Sequence, residues 1–511
     1  MKRFISLTLI IAIVLSLCAC SYTGSNTKIT VGVLTTVSTL DPVKATTDSE
    51  KLVAYNCFEG LLRLDSNGSI NLGGAVGYSV SGDNLTYTFK LNESAKWYIP
   101  EAIRKSLKSV DYSDTVTADD YIYGIERYRS TANQKLDCIK SLKATDKFTL
   151  VITLDKPDID FLYKLSTLPA FPCNKQIAKA LGNKLFSSAD YTPCNGTYYV
   201  NAYSKSETLL ERNPDYAGSV QIANRYVSLY TTGSVESLKS RFDSKTYDML
   251  FAPSTELLEG LTPSSQIVSD VWGLVFNTKT YVGENDILRA VLFSSVYRPH
   301  IESPYLALSS ISNIIPDSFL VREAQYSKFN PEKLTHTYDP DTGKALLNSL
   351  TEEIGHTTYT VDFFVPLEMK ESAETLITVW NEAYGDTFSF TLTTFELSET
   401  EKISAEGKYD IAILPLSPET NTAYGVLETL TAAPCFVSDS SFIKGYDVLP
   451  DEASIAEDLK ATEKHLIENN IFMPLFTSST NIYTVDELTG VYAVDGGNII
   501  YLHAGTKPEE K

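Results

Sequence analysis

The sequence predicts an α/β protein, because segments that alternate like half-buried strands are followed repeatedly by segments with helical periodicity. The chain has 511 residues, of which 43% are hydrophobic and 21% are charged. These values are typical of globular proteins, and the length corresponds to about two to four domains. No repeat of fixed period and no low-complexity block interrupts the pattern.

The predicted strands have apolar residues at every second position or in short continuous runs. Lys28–Leu34 is an apolar strand, and Thr86–Leu91 and Phe148–Leu154 both alternate apolar and polar residues. A period of two is expected for strands with one face in the core. Further strands are predicted in the second half, near Thr358–Val365, near Thr387–Thr394 and within Ile482–Leu502.

The predicted helices begin at capping residues. Thr117 caps the first, and Asp119 and Asp120 favour its positive end. Asp286 is predicted to cap a second helix, which Pro299 ends. Later helices are predicted at Asp341–Leu350, Glu371–Tyr384 and Glu452–Asn469. One of these lies between two predicted strands, a βαβ-like order that implies parallel pairing.

Residues 1–19 have the features of a signal peptide rather than of a folded element. Lys2 and Arg3 precede the apolar run Leu7–Leu17, which is shorter than the roughly 20 residues of a spanning helix. The run ends in Leu17-Cys18-Ala19-Cys20, which resembles a bacterial lipobox with the lipid on Cys20. A secretory signal with an incidental cysteine is the alternative. We expect residues 20–28 to be a tether and the protein to be extracytoplasmic, held to the membrane (cell surface or periplasm) by its lipid.

Composition and motif content exclude several classes of function. The formal net charge of −21 argues against binding to nucleic acid and against docking on anionic lipid through a basic face. The five histidines are scattered, so we predict no metal site and no other cofactor. The sequence contains no zinc-protease, serine-hydrolase, phosphate-loop or dinucleotide-binding motif. We therefore predict that the protein is not an enzyme.

The mature chain contains five cysteines besides Cys20, namely Cys57, Cys138, Cys173, Cys194 and Cys435. An extracytoplasmic location permits disulfides. Cys173 and Cys194 both flank predicted turns and are the preferred pair. The odd number leaves at least one free thiol, and buried free cysteines are the alternative.

Seven short motifs follow one another along the mature chain. They are Leu40–Pro42 (LDP), Tyr55–Asp65 (YNCFEGLLRLD), Asp83–Phe89 (DNLTYTF) with Ala95–Trp97 (AKW), Thr117–Asp120 (TADD), Asn195–Tyr198 (NGTY) with Leu210–Tyr216 (LERNPDY), Phe276–Asn277 (FN) with Asp286–Arg298 (DILRAVLFSSVYR), and Tyr409–Asp410 (YD). In order and spacing they resemble the extracytoplasmic solute-binding proteins of ABC importers, in the oligopeptide/dipeptide/nickel group. The resemblance covers nearly the whole mature chain.

The resemblance implies a periplasmic-binding-protein-like, bilobal (Venus-flytrap) fold with an extra inserted domain. Lobe I would comprise residues 29–58, 193–269 and 475–511, the inserted lobe II residues 59–192, and lobe III residues 270–474. The ligand would lie between lobes I and III, which close by a hinge. Peptide-binding relatives hold an extended ligand through its backbone, which tolerates many peptide sequences.

The resemblance also implies the ligand-binding residues. Peptide-binding relatives carry a YD…GWxADY segment whose Asp pairs with the ligand's α-ammonium. A gap-free count from Tyr409-Asp410 places Leu416 at the Trp and Glu419 at the Asp, with Ser417 between them. Glu419 would contribute roughly 1.5–3 kcal/mol as an anchor, and a solvated loop acid is the alternative. Further candidates, for which simple packing is the alternative, are Thr35, Thr36, Val37, Ser38, Trp272, Leu274 and Asn277.

We therefore expect a lipid-anchored, monomeric substrate-binding subunit of an ABC importer, which captures an oligopeptide and delivers it to permease and ATPase subunits. A nickel ligand is disfavoured because the histidines are few and unclustered. A peptide-sensing receptor, or a binder of a non-peptide solute such as a sugar or a metal complex, is the alternative with the same fold. An extracytoplasmic hydrolase or a chaperone-like lipoprotein is the alternative from another class.

Overall fold

The computed structural model describes residues 28–131, 136–253, 258, 260–301, 308–334, 336–355, 357–418, 420–432, 445–447, 449–486, 488–495 and 499–506. The strands are β1 Lys28–Val33, β2 Leu62–Leu64, β3 Ile70–Leu72, β4 Ala75–Val80, β5 Thr86–Leu91, β6 Ile139–Asp146, β7 Thr149–Leu154, β8 Tyr198–Tyr203, β9 Glu207–Arg212, β10 Tyr226–Thr231, β11 Met249–Pro253, β12 Ser265–Phe276, β13 Leu308–Ser310, β14 Leu320–Val321, β15 Ala324–Gln325, β16 Tyr359–Pro366, β17 Phe388–Phe395, β18 Ile411–Leu416, β19 Phe472–Thr484, β20 Leu488–Val494 and β21 Ile499–Thr506. The α-helices span Asp48–Cys57, Glu101–Ser106, Ala118–Arg129, Phe161–Lys164, Lys175–Leu181, Val235–Asp243, Tyr281–Glu284, Asp286–Ser294, Pro340–Ile354, Lys370–Tyr384, Thr400–Glu406, Ala423–Ala432 and Glu452–Glu468.

One mixed sheet of eleven strands runs through the molecule in the order β17-β16-β18-β12-β19-β11-β1-β10-β9-β8, and β13 pairs with β19 beside this path. A separate sheet in the order β4-β5-β7-β6 belongs to residues 59–192. The predicted α/β class is confirmed. The predicted parallel pairing is confirmed too, because β16 and β17 are parallel and the helix Lys370–Tyr384 connects them along the chain.

The predicted elements agree with the structure to within a few residues, and one predicted cap is wrong. Asp120 accepts hydrogen bonds from the backbone and side chain of Thr117 at 2.9 and 3.0 Å, so Thr117 begins its helix as predicted. The helix predicted to be capped by Asp286 is capped by Asn285, whose side chain accepts from the backbone of Leu288 at 3.0 Å. Asp286 is the first helical residue, where its charge still favours the helix end.

Four apolar clusters hold the sheet and its helices together. The names lobe I, lobe II and lobe III denote the predicted residue ranges. The largest cluster joins lobes I and II, and includes Val31 of β1 and Phe89 of β5, both fully buried. Two clusters cover opposite faces of the sheet in lobe III, around Trp380 and around Leu414. The fourth lies on the other face of lobe I, around Tyr247. Burial of each such side chain contributes roughly 1.5–3 kcal/mol.

The strands β12 and β19 carry the sheet from lobe I into lobe III. They are antiparallel, and their pairing is interrupted between Val268 and Asp270 and again between Trp272 and Gly273. At the second irregularity a side chain on Gly273 would place its Cβ 2.0 Å from Cζ of Phe472. Glycine therefore lets the Phe472 ring lie directly against the crossing strand. Bulged strands bend and twist more than regular ones.

Candidate functional site

Strand ends from both halves of the sheet meet at the crossing strands. In lobe I, β11 ends at Pro253, which pairs with Thr480 of β19, and Thr480 pairs with Ile267 of β12. In lobe III, β18 ends at Leu416, which pairs with Val271 of β12. Ligands of open α/β sheets bind outside the carboxyl ends of strands. We therefore take as the candidate site the region beyond these strand ends, above residues 268–270 and between the loop after β1 and the chain after β18, and we call this region the crevice.

The loop after β1 is fixed by a buried carboxylate. Glu50 accepts hydrogen bonds from the backbone of Ser38 at 3.1 Å, Thr46 at 3.0 Å and Thr47 at 3.1 Å, and a further short one from the Ser38 hydroxyl. Thr35 shares a hydrogen bond of 2.8 Å with Ser49. Burial alone would raise the pKa of Glu50, but the hydrogen bonds outweigh it and lower that pKa. The loop is therefore held against the helix Asp48–Cys57.

Three of the four predicted residues of this loop lie at the surface. Thr35, Thr36 and Ser38 are exposed, whereas Val37 is buried in the core beneath them. The hydroxyls of Thr35 and Ser38 already bond to Ser49 and Glu50, so they hold the surface of the loop in place rather than extend from it. Val37 anchors the loop in the core.

The floor of the crevice carries a carboxylate that the sequence-based prediction had not included. Asp270 accepts a hydrogen bond from the Ser417 hydroxyl at 2.6 Å on one oxygen and from the Ser478 hydroxyl at 2.7 Å on the other. Ser478 also accepts a hydrogen bond from the Trp272 indole at 3.0 Å. Asp270 is half-buried and Ser417 is exposed. The network thus joins all three strands that meet at the floor, β12, β18 and β19.

Four other predicted residues are placed in the interior. Trp272 is 1% exposed and packs on Phe476 with ring centroids 5.6 Å apart, and Leu274 and Leu416 are fully buried. Asn277 is also buried, and its side chain donates to the carbonyl of Gly407 at 3.0 Å. These positions explain the packing of lobe III. The structure does not bring them to the surface of the crevice.

Two predicted residues lie outside the described residues, and the predicted disulfide is not present. Glu419 and Cys20 belong to the parts of the chain that the structure does not describe. Cys173 and Cys194 are both free, buried thiols. The thiol of Cys194 donates to the carbonyl of Thr192 at 3.5 Å and lies beside Cys57, whose pKa it helps to raise, whereas Cys173 lies beside Arg127. The pairing of Cys173 with Cys194 is therefore wrong, because each thiol is buried against a different partner.

Lobes II and III contact each other beside the crevice. Tyr163 donates to the carbonyl of Arg322 at 2.6 Å, and Lys164 donates to Glu428 at 2.8 Å. Asp160 accepts a short hydrogen bond from Thr422, and both residues are buried. This group of contacts, Asp160–Thr422, Tyr163–Arg322 and Lys164–Glu428, is called the II–III contact below.

The buried carboxyl of Asp160 has a strongly shifted pKa. Burial raises the pKa of Asp160 to about 7, and the charges of Asp158 and Glu428 act in the same direction. The hydrogen bond from Thr422 and the charge of Lys164 oppose this shift. The II–III contact thus contains a group that titrates near neutral pH.

Sequence reasoning missed Asp270 and the residues of the II–III contact. For Asp270 a signal existed, since it is the one charged residue in the apolar run from Ile267 to Phe276. An acid inside such a strand is costly unless hydrogen-bonded or paired, which indicates a special position. No comparable signal marks Asp160 or Lys164, because surface loops are rich in such residues.

The part of the chain that the structure describes contains neither a metal centre nor a membrane-spanning helix. Within the described residues, no group of three or more His, Cys, Asp or Glu side chains is arranged to hold a metal ion. Over the same part of the chain, none of the helices combines the length and apolar character needed to cross a membrane.

Comparison with known proteins gives relatives that are named as peptide-binding proteins and structural neighbours that share the fold. The oligopeptide-binding protein AliB of Streptococcus pneumoniae is 28% identical over 236 residues, which cover 41% of this chain and 35% of AliB, so the chain spans about a third of that relative. A dipeptide-binding protein of Lactococcus lactis is 22% identical over 96% of both chains. The structure of Listeria monocytogenes OppA bound to peptide superposes with a TM-score of 0.71 and 18% identity, over 94% of this chain and 99% of that one.

The structural likeness confirms the predicted fold, that of the OppA-type periplasmic binding proteins. A family model described as "Bacterial extracellular solute-binding proteins, family 5 Middle" matches residues 70–435, which is more than half of the chain. The chain therefore belongs to the bacterial extracellular solute-binding proteins of family 5.

Proposed function

We propose that this protein is the lipid-anchored substrate-binding subunit of an ABC importer and captures an oligopeptide in the crevice between lobes I and III. Closure of the two lobes about β12 and β19 holds the peptide until it is delivered to a membrane permease. The protein catalyses no reaction, and other chains hydrolyse the ATP. Cys20 carries the lipid.

The observation that carries this proposal is the connection between the two halves of the main sheet. Within the described residues, the sheet passes from lobe I to lobe III only through the pairing of β12 with β19, and that pairing is irregular at two places. Hinge motions are absorbed by a few residues of this kind. A crevice bordered by two such halves suits a ligand that is enclosed on closure.

The names of the relatives support a peptide as the ligand. AliB and the lactococcal protein are described as binding oligopeptides and dipeptides, and the Listeria structure contains a bound peptide. The exposed loop residues Thr35, Thr36 and Ser38 fit this ligand class, because backbone groups of an exposed segment can bond to a peptide main chain without regard to its sequence.

Native mass spectrometry of the full lipoprotein, purified in detergent from its own host, tests the proposal. Species released from it are sequenced, and we expect a ladder of short mixed peptides. A single sugar, metal complex or other non-peptide solute would overturn the peptide assignment.

Small-angle scattering tests the hinge separately. We expect the radius of gyration to fall when a short peptide is added to the empty protein. A constant radius together with capture of unfolded protein would point to the chaperone-like alternative. Hydrolysis of the added peptide, followed by chromatography, would point to the hydrolase alternative.

A further inference from the structure

The hydrogen bonds around Asp270 fix the direction of both hydroxyl protons. The Trp272 indole can only donate, so Ser478 accepts from it and its own proton is free to point at Asp270. An ionised carboxylate can only accept, so Ser417 also donates to it. Each carboxylate oxygen therefore holds one ordered donor. About four acceptor positions exist on a carboxylate, which leaves capacity for further donors.

Asp270 has no cationic partner among the described residues. Ion pairs in this part of the chain occur elsewhere, as between Lys164 and Asp158 at 2.8 Å, and none includes Asp270. A half-buried carboxylate without a counter-charge is unfavourable, and two neutral hydroxyls compensate for it only in part. A cation supplied by a ligand in the crevice would complete the coordination.

One of the two lobes that border the crevice is strongly acidic. Asp495 lies on the lobe I side of the break in strand pairing between Val268 and Asp270. Its carboxylate accepts a hydrogen bond from the backbone N–H of Val268 at 3.0 Å. Residues 270–474, which are lobe III, hold 13 of the 43 basic and 32 of the 64 acidic residues of the sequence, a net charge of −19 out of −21. A cleft bordered by one sign of charge concentrates ligands of the opposite sign.

We propose that Asp270, oriented by Ser417 and Ser478, is a specificity residue that binds a cationic group of the peptide. The group is the ammonium or guanidinium of a Lys or Arg side chain. This inference rests on the proposed function and goes beyond it, because it names the class of peptide that the crevice prefers. Ser417 and Ser478 are positioning residues that keep the carboxylate aimed into the crevice.

Titration calorimetry of the full chain with a set of matched pentapeptides tests this inference. The probes are pentaalanine, five variants with a single Lys at each position, and the same six peptides with an acetylated amino end. One Lys position is expected to bind about tenfold more tightly than pentaalanine. Acetylation leaves this preference in place, and Asp270→Asn removes it. If acetylation instead weakens all six peptides about tenfold and no Lys position is preferred, the crevice binds the α-ammonium and this inference fails.

Two further variants keep the result interpretable. Ser417→Ala removes one donor at an exposed position and is expected to weaken the preferred Lys peptide two- to threefold, without changing the affinity for pentaalanine. Asp341→Asn removes the same charge from a side chain that is 93% exposed on the helix Pro340–Ile354. It is expected to leave every affinity unchanged.

The outcomes separate the two proposals. If the wild type binds pentaalanine and the lysine peptides equally, with or without acetylation, Asp270 is not a cation site although the peptide function stands. The same conclusion follows if Asp270→Asn and Asp341→Asn have equal effects. If the wild type binds none of the probes, the proposed oligopeptide function fails, and this inference fails with it.

Discussion

Lys164 of lobe II donates a hydrogen bond to Glu428 of lobe III over 2.8 Å, and its ammonium also donates to Asp158 of lobe II at 2.8 Å. The Lys164 side chain is 14% exposed, whereas that of Glu428 is 43% exposed. A well-buried cation fixed in one lobe is thus paired with a half-exposed acid of the other. Lobe II shares the largest apolar cluster with lobe I, so we expect it to move with lobe I in the proposed hinge motion. The pair with Asp158 then persists in every state, and the pair with Glu428 favours the closed state.

Replacement of Glu428 by Gln is expected to weaken peptide binding two- to fivefold. A half-exposed ion pair contributes about 0.5–1 kcal/mol, and tenfold in affinity corresponds to about 1.4 kcal/mol. The thermal midpoint of the empty protein should not change, because Lys164 keeps its partner Asp158. Glu374→Gln is the control, since this acid pairs with Lys370 inside one helix of lobe III and is 55% exposed. Equal effects of the two variants on affinity would contradict the assignment.

The buried carboxyl of Asp160 should make the folded protein sensitive to pH. Its folded pKa of about 7 lies above the value of about 3.9 in unfolded chains. The protonated form is therefore favoured by folding. The contribution of this carboxyl to the free energy of unfolding is complete below about pH 4 and is lost as the pH rises to about 7. Asp160→Asn mimics the protonated carboxyl and should keep this contribution to stability as the pH rises.

Thermal unfolding of the variant and the parent between pH 4 and pH 7.5 checks this expectation. The variant should be more stable than the parent at pH 7.5, by about 4 kcal/mol, and the difference should vanish near pH 4. Glu463, whose pKa burial also raises to about 7, is present in both proteins and cancels in the comparison. A difference that does not depend on pH would show that Asp160 stays ionised in the fold.

The fold could be predicted from the sequence because its determinants are local. The alternation in Thr86–Leu91 gave β5 with the predicted bounds, and the strands around the helix Lys370–Tyr384 shifted by one residue. The cap at Asp286 was missed by one position, since Asn285 and Asp286 are both good caps and only the backbone conformation separates them. Boundaries of this kind depend on geometry that residue types do not encode.

The candidate site could be predicted only in part, because it depends on pairing across the chain. The loop at Thr35–Ser38 follows directly from the end of β1. Asp270, in contrast, becomes a site residue only when β18 and β19 bring Ser417 and Ser478 beside it, from 147 and 208 positions away. The same holds for the thiol contact of Cys57 and Cys194, for which the turns near Cys173 gave no information.

Oxidation is expected to link Cys57 to Cys194. The two thiols are fully buried and neighbours, and burial raises the pKa of Cys57 well above its usual value. The link should therefore form slowly in the folded protein, since the thiolate is the reactive species. Peptide mapping without reduction, after treatment with diamide, identifies the pair. Cys57→Ser should abolish the linked peptide and Cys173→Ser should leave it, whereas a peptide linking Cys173 to Cys194 would contradict this pairing.

Replacement of Glu50 by Gln is expected to loosen the loop after β1 and to weaken ligand binding. The amide can replace one acceptor oxygen, but its NH₂ group then faces the backbone donors of Thr46 and Thr47, which leaves buried donors unpaired. Such a loss costs about 1–3 kcal/mol. The hydrogen bonds hold the pKa of Glu50 below its usual value, so the contribution is present at neutral pH and is lost as the pH falls below about 4.

Thermal unfolding at pH 7 and pH 4, together with peptide titration, checks the role of Glu50. Thr47→Ala is the matched control, because it removes the side chain that accepts from the backbone of Glu50 at 3.4 Å and leaves the bonds from Ser38 to Glu50 in place. The control should lower stability by about 1 kcal/mol without changing peptide affinity. Glu50→Gln should lower both, because Ser38 borders the crevice and loses its fixed position. If both variants reduced affinity equally, the helix start rather than the loop would govern binding.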